Sequence, residues 1–238
     1  MTWPHPLPQW DYNWVVRQLT GHIYVSCQSV VSAFQTNFIF KRLDAYNSVI
    51  HELNFLHAAG DTAVDVIALV PNCPEGQAGF IMPRLQPIVS SQLSVDQKVN
   101  VMREMENLIR TLHQRGIIHC DIKLANFLYD PSEGAVKLCD FGSAVWLNKS
   151  RPPYSGSERY YSARRLADQF LTLPMETDDD YYALGWTIWE LFTGRTPFSH
   201  IENSREVVQL ILNGAKPDLD EIENEEARAS IMSYCDIH

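Results

Sequence analysis

His119, Asp121, Lys123 and Asn126 stand within one run of eight residues, His-Cys-Asp-Ile-Lys-Leu-Ala-Asn. A second aspartate, Asp140, closes a short hydrophobic run further on and leads into Phe141-Gly142. An aspartate and an asparagine five residues apart on one loop, followed by a second aspartate, suit phosphoryl transfer from Mg·ATP. That reaction asks the protein for little covalent chemistry; positioning and charge neutralisation carry the rate. Carboxylate and amide oxygens are the hard ligands that magnesium takes.

Such groups need a frame. From Trp14 to Leu43 the runs Trp14–Val16, Ile23–Val25, Ser29–Val31 and Phe38–Phe40 are β-rich, broken at Thr20-Gly21 and Gln35-Thr36-Asn37, and predict an antiparallel meander. Asp44–Ala59 places Val49, Leu53 and Leu56 at helical spacing and stops before Gly60. Two further strands are expected over Val64–Val70 and Gly79–Met82, and the stiff Pro83–Pro87 stretch marks a domain boundary. Beyond it the pattern is helical. Ser94 with Gln97 forms a capping box, and Val99, Met102, Met105, Ile109 and Leu112 make one apolar stripe that reads as core. Tyr181–Phe192 predicts a buried helix and Glu202–Asn213 an amphipathic one, while the acidic run Asp218–Glu226 reads as a solvated face and cap. Residues 1–13, with Trp3 and Trp10 among Pro4, Pro6 and Pro8, are expected to be an irregular lead-in, followed by domains at 14–85 and 86–238.

Composition excludes several classes. A length of 238 residues, 45% hydrophobic and 20% charged, is that of an ordinary globular chain. A net charge of −10 offers no excess of Lys and Arg to replace counterions, which argues against nucleic-acid and anionic-membrane partners. No apolar stretch is long enough to span a bilayer, and the first ten residues lack the pattern of a secretory signal. Cys27, Cys73, Cys120, Cys139 and Cys235 are odd in number and scattered, which suggests a reducing, intracellular location, cytoplasmic or nuclear. Nothing in the sequence requires an obligate oligomer.

The motifs together resemble a eukaryotic-type protein kinase domain, from about Trp14 to the C-terminus. The resemblance implies an α+β, two-lobed fold, with a small antiparallel sheet and one helix in the N-lobe and a mainly helical C-lobe. It implies ATP and magnesium as cofactors and a protein as substrate. Asp121 matches the catalytic base, Lys123 the cation on the transferring phosphate, and Asn126 and Asp140 the metal ligands. Lys41 resembles the strand lysine that contacts the phosphates, with Glu52 as its ion-pair partner. In the ATP site Met82 matches the gatekeeper, Arg84 and Leu85 lie in the hinge, Leu128 floors the adenine, and Gly21 is what remains of the glycine-rich loop. His119, Phe141 and Leu56 match an internal hydrophobic spine, and Gly142 completes the Asp-Phe-Gly segment. Ser157 matches the hydroxyl tied to the catalytic Asp and Lys, and Asp180 the brace of the catalytic loop. The implied activity is transfer of the γ-phosphate of ATP to Ser/Thr hydroxyls of proteins.

Five departures stand out. Gly21 is the only glycine between Leu19 and Lys41, and Ile39 stands where the pattern has a small Ala. Cys120 replaces an Arg that would pair with an activation-loop phosphate, so activity is expected not to depend on phosphorylation at Tyr154, Ser155 or Ser157. Ser162-Ala163-Arg164 stands in place of Ala-Pro-Glu, reversing the charge of its last residue. The chain ends at His238, before the late helix that would carry that Glu's partner, so the C-lobe reads as shortened. A pseudokinase serving as a nucleotide-binding or scaffold module is the alternative, and a small-molecule kinase a further one.

Overall fold

The structure is a computed structural model that describes residues 7–26, 29–149, 156–168, 170 and 172–236. Trp3, Pro4, Pro6, Cys27, Tyr154 and Ser155 lie outside the described residues. The chain divides into two compact units, Met1–Gln86 and Pro87–His238.

The first unit opens with α1 (Tyr12–Val16), where a strand was expected at Trp14–Val16. Asp11 caps it, its Oδ1 accepting the Trp14 amide hydrogen at 2.9 Å, and Val15 is wholly buried among Phe34, Phe40, Ala68, Val70 and Ile81. A cap and a core site outweigh the β-propensity of two valines. The lead-in is likewise not irregular throughout: Trp10 donates to Leu69 O and Leu69 to Pro8 O, a parallel bridge along the sheet edge. Pairing here covers an edge that would otherwise expose open amide and carbonyl groups.

Strands β1 (Leu19–Val25), β2 (Ser29–Phe34) and β3 (Phe38–Leu43) form the expected meander. Helix α2 (Tyr46–Ala59) ends at Gly60, whose φ of 57° suits a residue without a Cβ. Strand β4 covers only Ala68–Val70, in register with Gly79–Ile81 of β5 (Ala78–Pro83). The sheet order is β1-β2-β3-β5-β4. The extended pair β6 (Gln86–Pro87) lies at the boundary.

In the second unit α3 (Val95–Gln114) carries the predicted capping box, and Val99, Met102, Met105, Ile109 and Leu112 are buried. Each such side chain contributes roughly 1.5–3 kcal/mol. Then follow β7 (Ile117–Ile118), the hairpin β8 (Phe127–Asp130) and β9 (Ala135–Leu138), and β10 (Val145–Trp146), which pairs with β7. Helices α4 (Ala163–Ala167), α5 (Thr177–Thr193), α6 (Ser204–Leu212) and α7 (Glu225–Cys235) complete it. Helix α7 was not predicted. The acidic run is its approach and first turn, with Ile222 buried and Asn224 capping Ala227 N. Helix α5 has a mid-helix glycine, Gly185, which costs about 1 kcal/mol relative to alanine. A Cβ there would lie 2.6 Å from Cys235 Sγ, so the glycine lets α7 approach closely. No helix among the described residues is long and apolar enough to cross a membrane.

Candidate active site

In the second unit the predicted groups stand on and around the loop between β7 and β8. Helix α3 stops at Arg115, and Gly116 turns the chain at a φ of 74°. Its final residues and β7 deliver His119 and Cys120 to Asp180, at the start of α5. Asp180 Oδ2 accepts the His119 amide hydrogen at 2.8 Å and Oδ1 that of Cys120 at 2.9 Å. The His113 Nε2 lies 3.0 Å from Oδ2. Burial alone would push the Asp180 carboxyl up, but the hydrogen bond and charge of His113 and the His119 amide outweigh it and hold it below its ordinary value. Asp180 thus ties the end of α3 and the start of the loop to α5.

His119 Nε2 lies 3.1 Å from the Cys139 carbonyl, and its Nδ1 accepts the Asp121 amide hydrogen at 3.3 Å. A carbonyl only accepts and an amide only donates, so the ring proton sits on Nε2. The ring packs edge-on against the buried Phe141 with centroids 4.8 Å apart. That contact places the segment containing Asp140, whose φ of 62° and ψ of 64° are left-handed. Gly142 follows, exposed, in the 3-10 turn Phe141–Ser143.

Asp121 is buried, and its two oxygens differ. Oδ2 takes Lys123 Nζ at 2.7 Å and Asn126 Nδ2 at 3.2 Å. Oδ1 is buried with no partner among the described residues. Such a group calls for an explanation, since buried polar atoms are nearly always bonded. Lys123 Nζ also donates to Ser157 Oγ at 3.0 Å, uniting three predicted residues. Asn126 Nδ2 donates to Asp121 O at 2.7 Å as well, so both amide hydrogens turn inward. Its amide oxygen is left as the acceptor, the atom a magnesium ion would use. Asn126 and Asp140 thus offer hard oxygen donors that fit magnesium.

Within the first unit, β3 alternates. Phe40 enters the cluster around Val15, and Lys41 faces the other side of the sheet. Helix α2 carries Glu52 on the same stripe as Val49, Leu53 and Leu56, all buried. Lys41 Nζ and Glu52 Oε1 meet at 2.7 Å, with side chains 5% and 0% exposed. Lys41 is no solvated strand lysine. Met82 is buried on β5 opposite Ile39. Arg84 is exposed and donates its amide hydrogen to Asn37 O at 2.8 Å, while Leu85 is half-buried. Gly21 lies on β1, where the register with β2 is irregular. Leu128, in the second unit, is half-buried on β8.

The reversed charge at Arg164 has local partners. Nη1 meets Asp179 Oδ2 at 2.9 Å, and Nη2 meets Glu176 Oε1 at 2.8 Å and Pro174 O at 2.9 Å. Three neighbouring side chains make contacts that the sequence reading did not assign. Arg159 donates to the Pro197, Phe198 and Ile201 carbonyls. Tyr160 OH donates to Glu190 Oε2 at 2.6 Å, and burial, then Glu190, raises the phenol's pKa. Arg165 donates to Cys120 O at 2.8 Å. These contacts join residues 30 to 45 positions apart, where no local pattern could reveal them.

Comparison with known proteins places this geometry. The family model for the protein kinase domain matches residues 30–234. The chain belongs to the protein kinase family. A probable serine/threonine-protein kinase of Dictyostelium discoideum is 41% identical over 106 residues, 43% of this chain and 19% of that protein. The serine/threonine-protein kinase mos of Patiria pectinifera is 26% identical over 196 residues, 77% of this chain and 56% of that protein. The chain thus spans less than two thirds of either relative. The Cydia pomonella granulovirus kinase PK-1 superposes with a TM-score of 0.72 at 17% identity, covering 94% of this chain and 90% of its own. That likeness shows the fold, an antiparallel-sheet N-lobe and a helical C-lobe.

Proposed function

We propose that the chain transfers the γ-phosphate of ATP to Ser or Thr hydroxyls of protein substrates. One observation carries the reading: Asp121 Oδ1 is buried and unpartnered while Lys123 binds Oδ2 and Ser157. A substrate hydroxyl would satisfy that oxygen. As the hydroxyl oxygen bonds to the γ-phosphorus, the bond to the ADP oxygen breaks and Asp121 takes the proton. Lys123 is placed to neutralise the transferring phosphoryl group, and Lys41, aimed by Glu52, serves the remaining phosphates. Asn126 and Asp140 would hold magnesium, which when bound neutralises charge on the phosphate oxygens. Met82, Arg84, Leu85 and Leu128 are assigned to adenine.

The test is transfer of labelled γ-phosphate to generic protein substrates, comparing the native chain with Asp121→Asn and Asp140→Asn. Equal signal in all three would overturn the catalytic reading. The glycine-poor β1 favours a second reading, a pseudokinase acting as a nucleotide-binding or scaffold module. A thermal shift with Mg·ATP in the absence of transfer would select it.

A further inference from the structure

Cys120, which precedes Asp121 on the loop, buries its side chain in a small apolar cluster. Its Sγ, 3.7 Å from Ile118 O, is buried with Ile118, Val145 and Met175. Its peptide groups do the work. The amide hydrogen goes to Asp180 Oδ1 at 2.9 Å and the carbonyl accepts from Arg165 Nη1 at 2.8 Å. Between them φ is 66°, a left-handed value that a residue with a Cβ holds only when its surroundings over-determine it. Asp121 is the next residue, so the direction of this peptide sets where its carboxylate lies.

Arg165 is built to hold that carbonyl. It is 6% exposed, and its guanidinium lies 3.6 Å from the centroid of the Tyr161 ring. Helix α4 has five residues, too few to be stable alone. Ser162 secures it, its Oγ accepting from Arg165 N and donating to Asp179 Oδ1. On the other side, Gly156 has a φ of 92°, and a Cβ there would lie 2.7 Å from Cys120 O and 2.8 Å from the Tyr161 hydroxyl. The segment is thus packed directly against the carbonyl that Arg165 holds. Arg159 and Arg164 fasten it on backbone carbonyls and carboxylates.

We propose that Arg165 is a positioning residue, which fixes the left-handed Cys120 peptide and so aims Asp121 from an unmodified segment. A guanidinium carried by the segment reaches the catalytic loop, in place of one carried by the loop that reaches a phosphate on the segment. The inference rests on the kinase reading for its activity arm and on geometry alone for its exchange arm.

The test uses the full chain with Arg165→Met, Arg165→Lys and Gly156→Ala. Arg165→Met is expected to lower kcat about 10–100-fold while KM for ATP stays within about twofold. Amide exchange of the peptide containing Cys120 and Asp121 should quicken about tenfold or more, with α3 and α5 unchanged. Arg165→Lys can keep the bond to Cys120 O but cannot lie flat on Tyr161, and is expected to fall between. Gly156→Ala should repeat the Arg165→Met effects, and carries the test alone should Arg165→Met not fold. Native exchange of the Cys120 peptide in Gly156→Ala, and in Arg165→Met where it folds, would overturn the inference whatever the activity. Faster exchange in a chain without phosphoryl transfer would uphold it and dismiss the kinase reading.

Discussion

Asp180 and His113 meet at 3.0 Å, Oδ2 to Nε2, with side chains 1% and 7% exposed. The same carboxylate receives two amide hydrogens from the catalytic loop, so one buried group joins α3, α5 and the loop. Asp180→Ala should cost about 3–5 kcal/mol in denaturant unfolding, since a buried pair loses one member. Asp180→Asn keeps the shape and should cost less. Because the folded carboxyl lies below its ordinary 3.8, its stabilisation is full above that value and is lost as pH falls through the folded one. The stability gap between the native chain and Asp180→Asn should therefore shrink below about pH 4. A constant gap down to pH 2 would contradict the assignment.

Lys41→Met should destabilise the chain by about 3–5 kcal/mol, because it leaves the Glu52 carboxylate buried without its ammonium partner. Lys41→Met with Glu52→Leu should recover most of that loss. Urea unfolding reads both. If the double variant were no more stable than the single one, the pair would not be the source of the cost.

Ser157→Ala removes the hydroxyl that anchors Lys123 and leaves the bond to Asp121. The expected result is a fall in kcat of about tenfold, with KM for ATP little changed. Lys123→Ala removes both contacts and should cost about 100-fold or more. Steady-state kinetics on one peptide substrate would show the ranking, and a reversed order would refute it.

Restoring the family pattern at position 164 should harm this chain. Arg164→Glu would set a third carboxylate against Asp179 and Glu176, in place of the cation that now meets both. Melting should fall further for Arg164→Glu than for Arg164→Ala, with about 1–3 kcal/mol expected for the alanine variant. Equal melting temperatures would show that the pairs contribute little.

Much of the fold was legible. Periodicity placed α2, α3 and the stripes they bury, and turn residues separated β1, β2 and β3, because each is set by neighbours within a few residues. Trp14–Val16 was misread as a strand because an Asp11 cap and a core site for Val15 decide it. Helix α7 was missed beneath its acidic approach: what commits it is contact with Gly185, forty or more residues back.

In the site, the sequence by itself determined which chemical groups are present and their order along the loop. Asp121, Lys123 and Asn126 are close in sequence, and a loop of that length must keep them near one another. Tertiary structure alone decided that Lys41 is buried on Glu52, that Ser157 reaches Lys123, and that Arg164 and Arg165 find Asp179 and the Cys120 carbonyl. Bonds between distant residues depend on how whole elements pack, and packing is a property of the assembled core that no local spacing encodes.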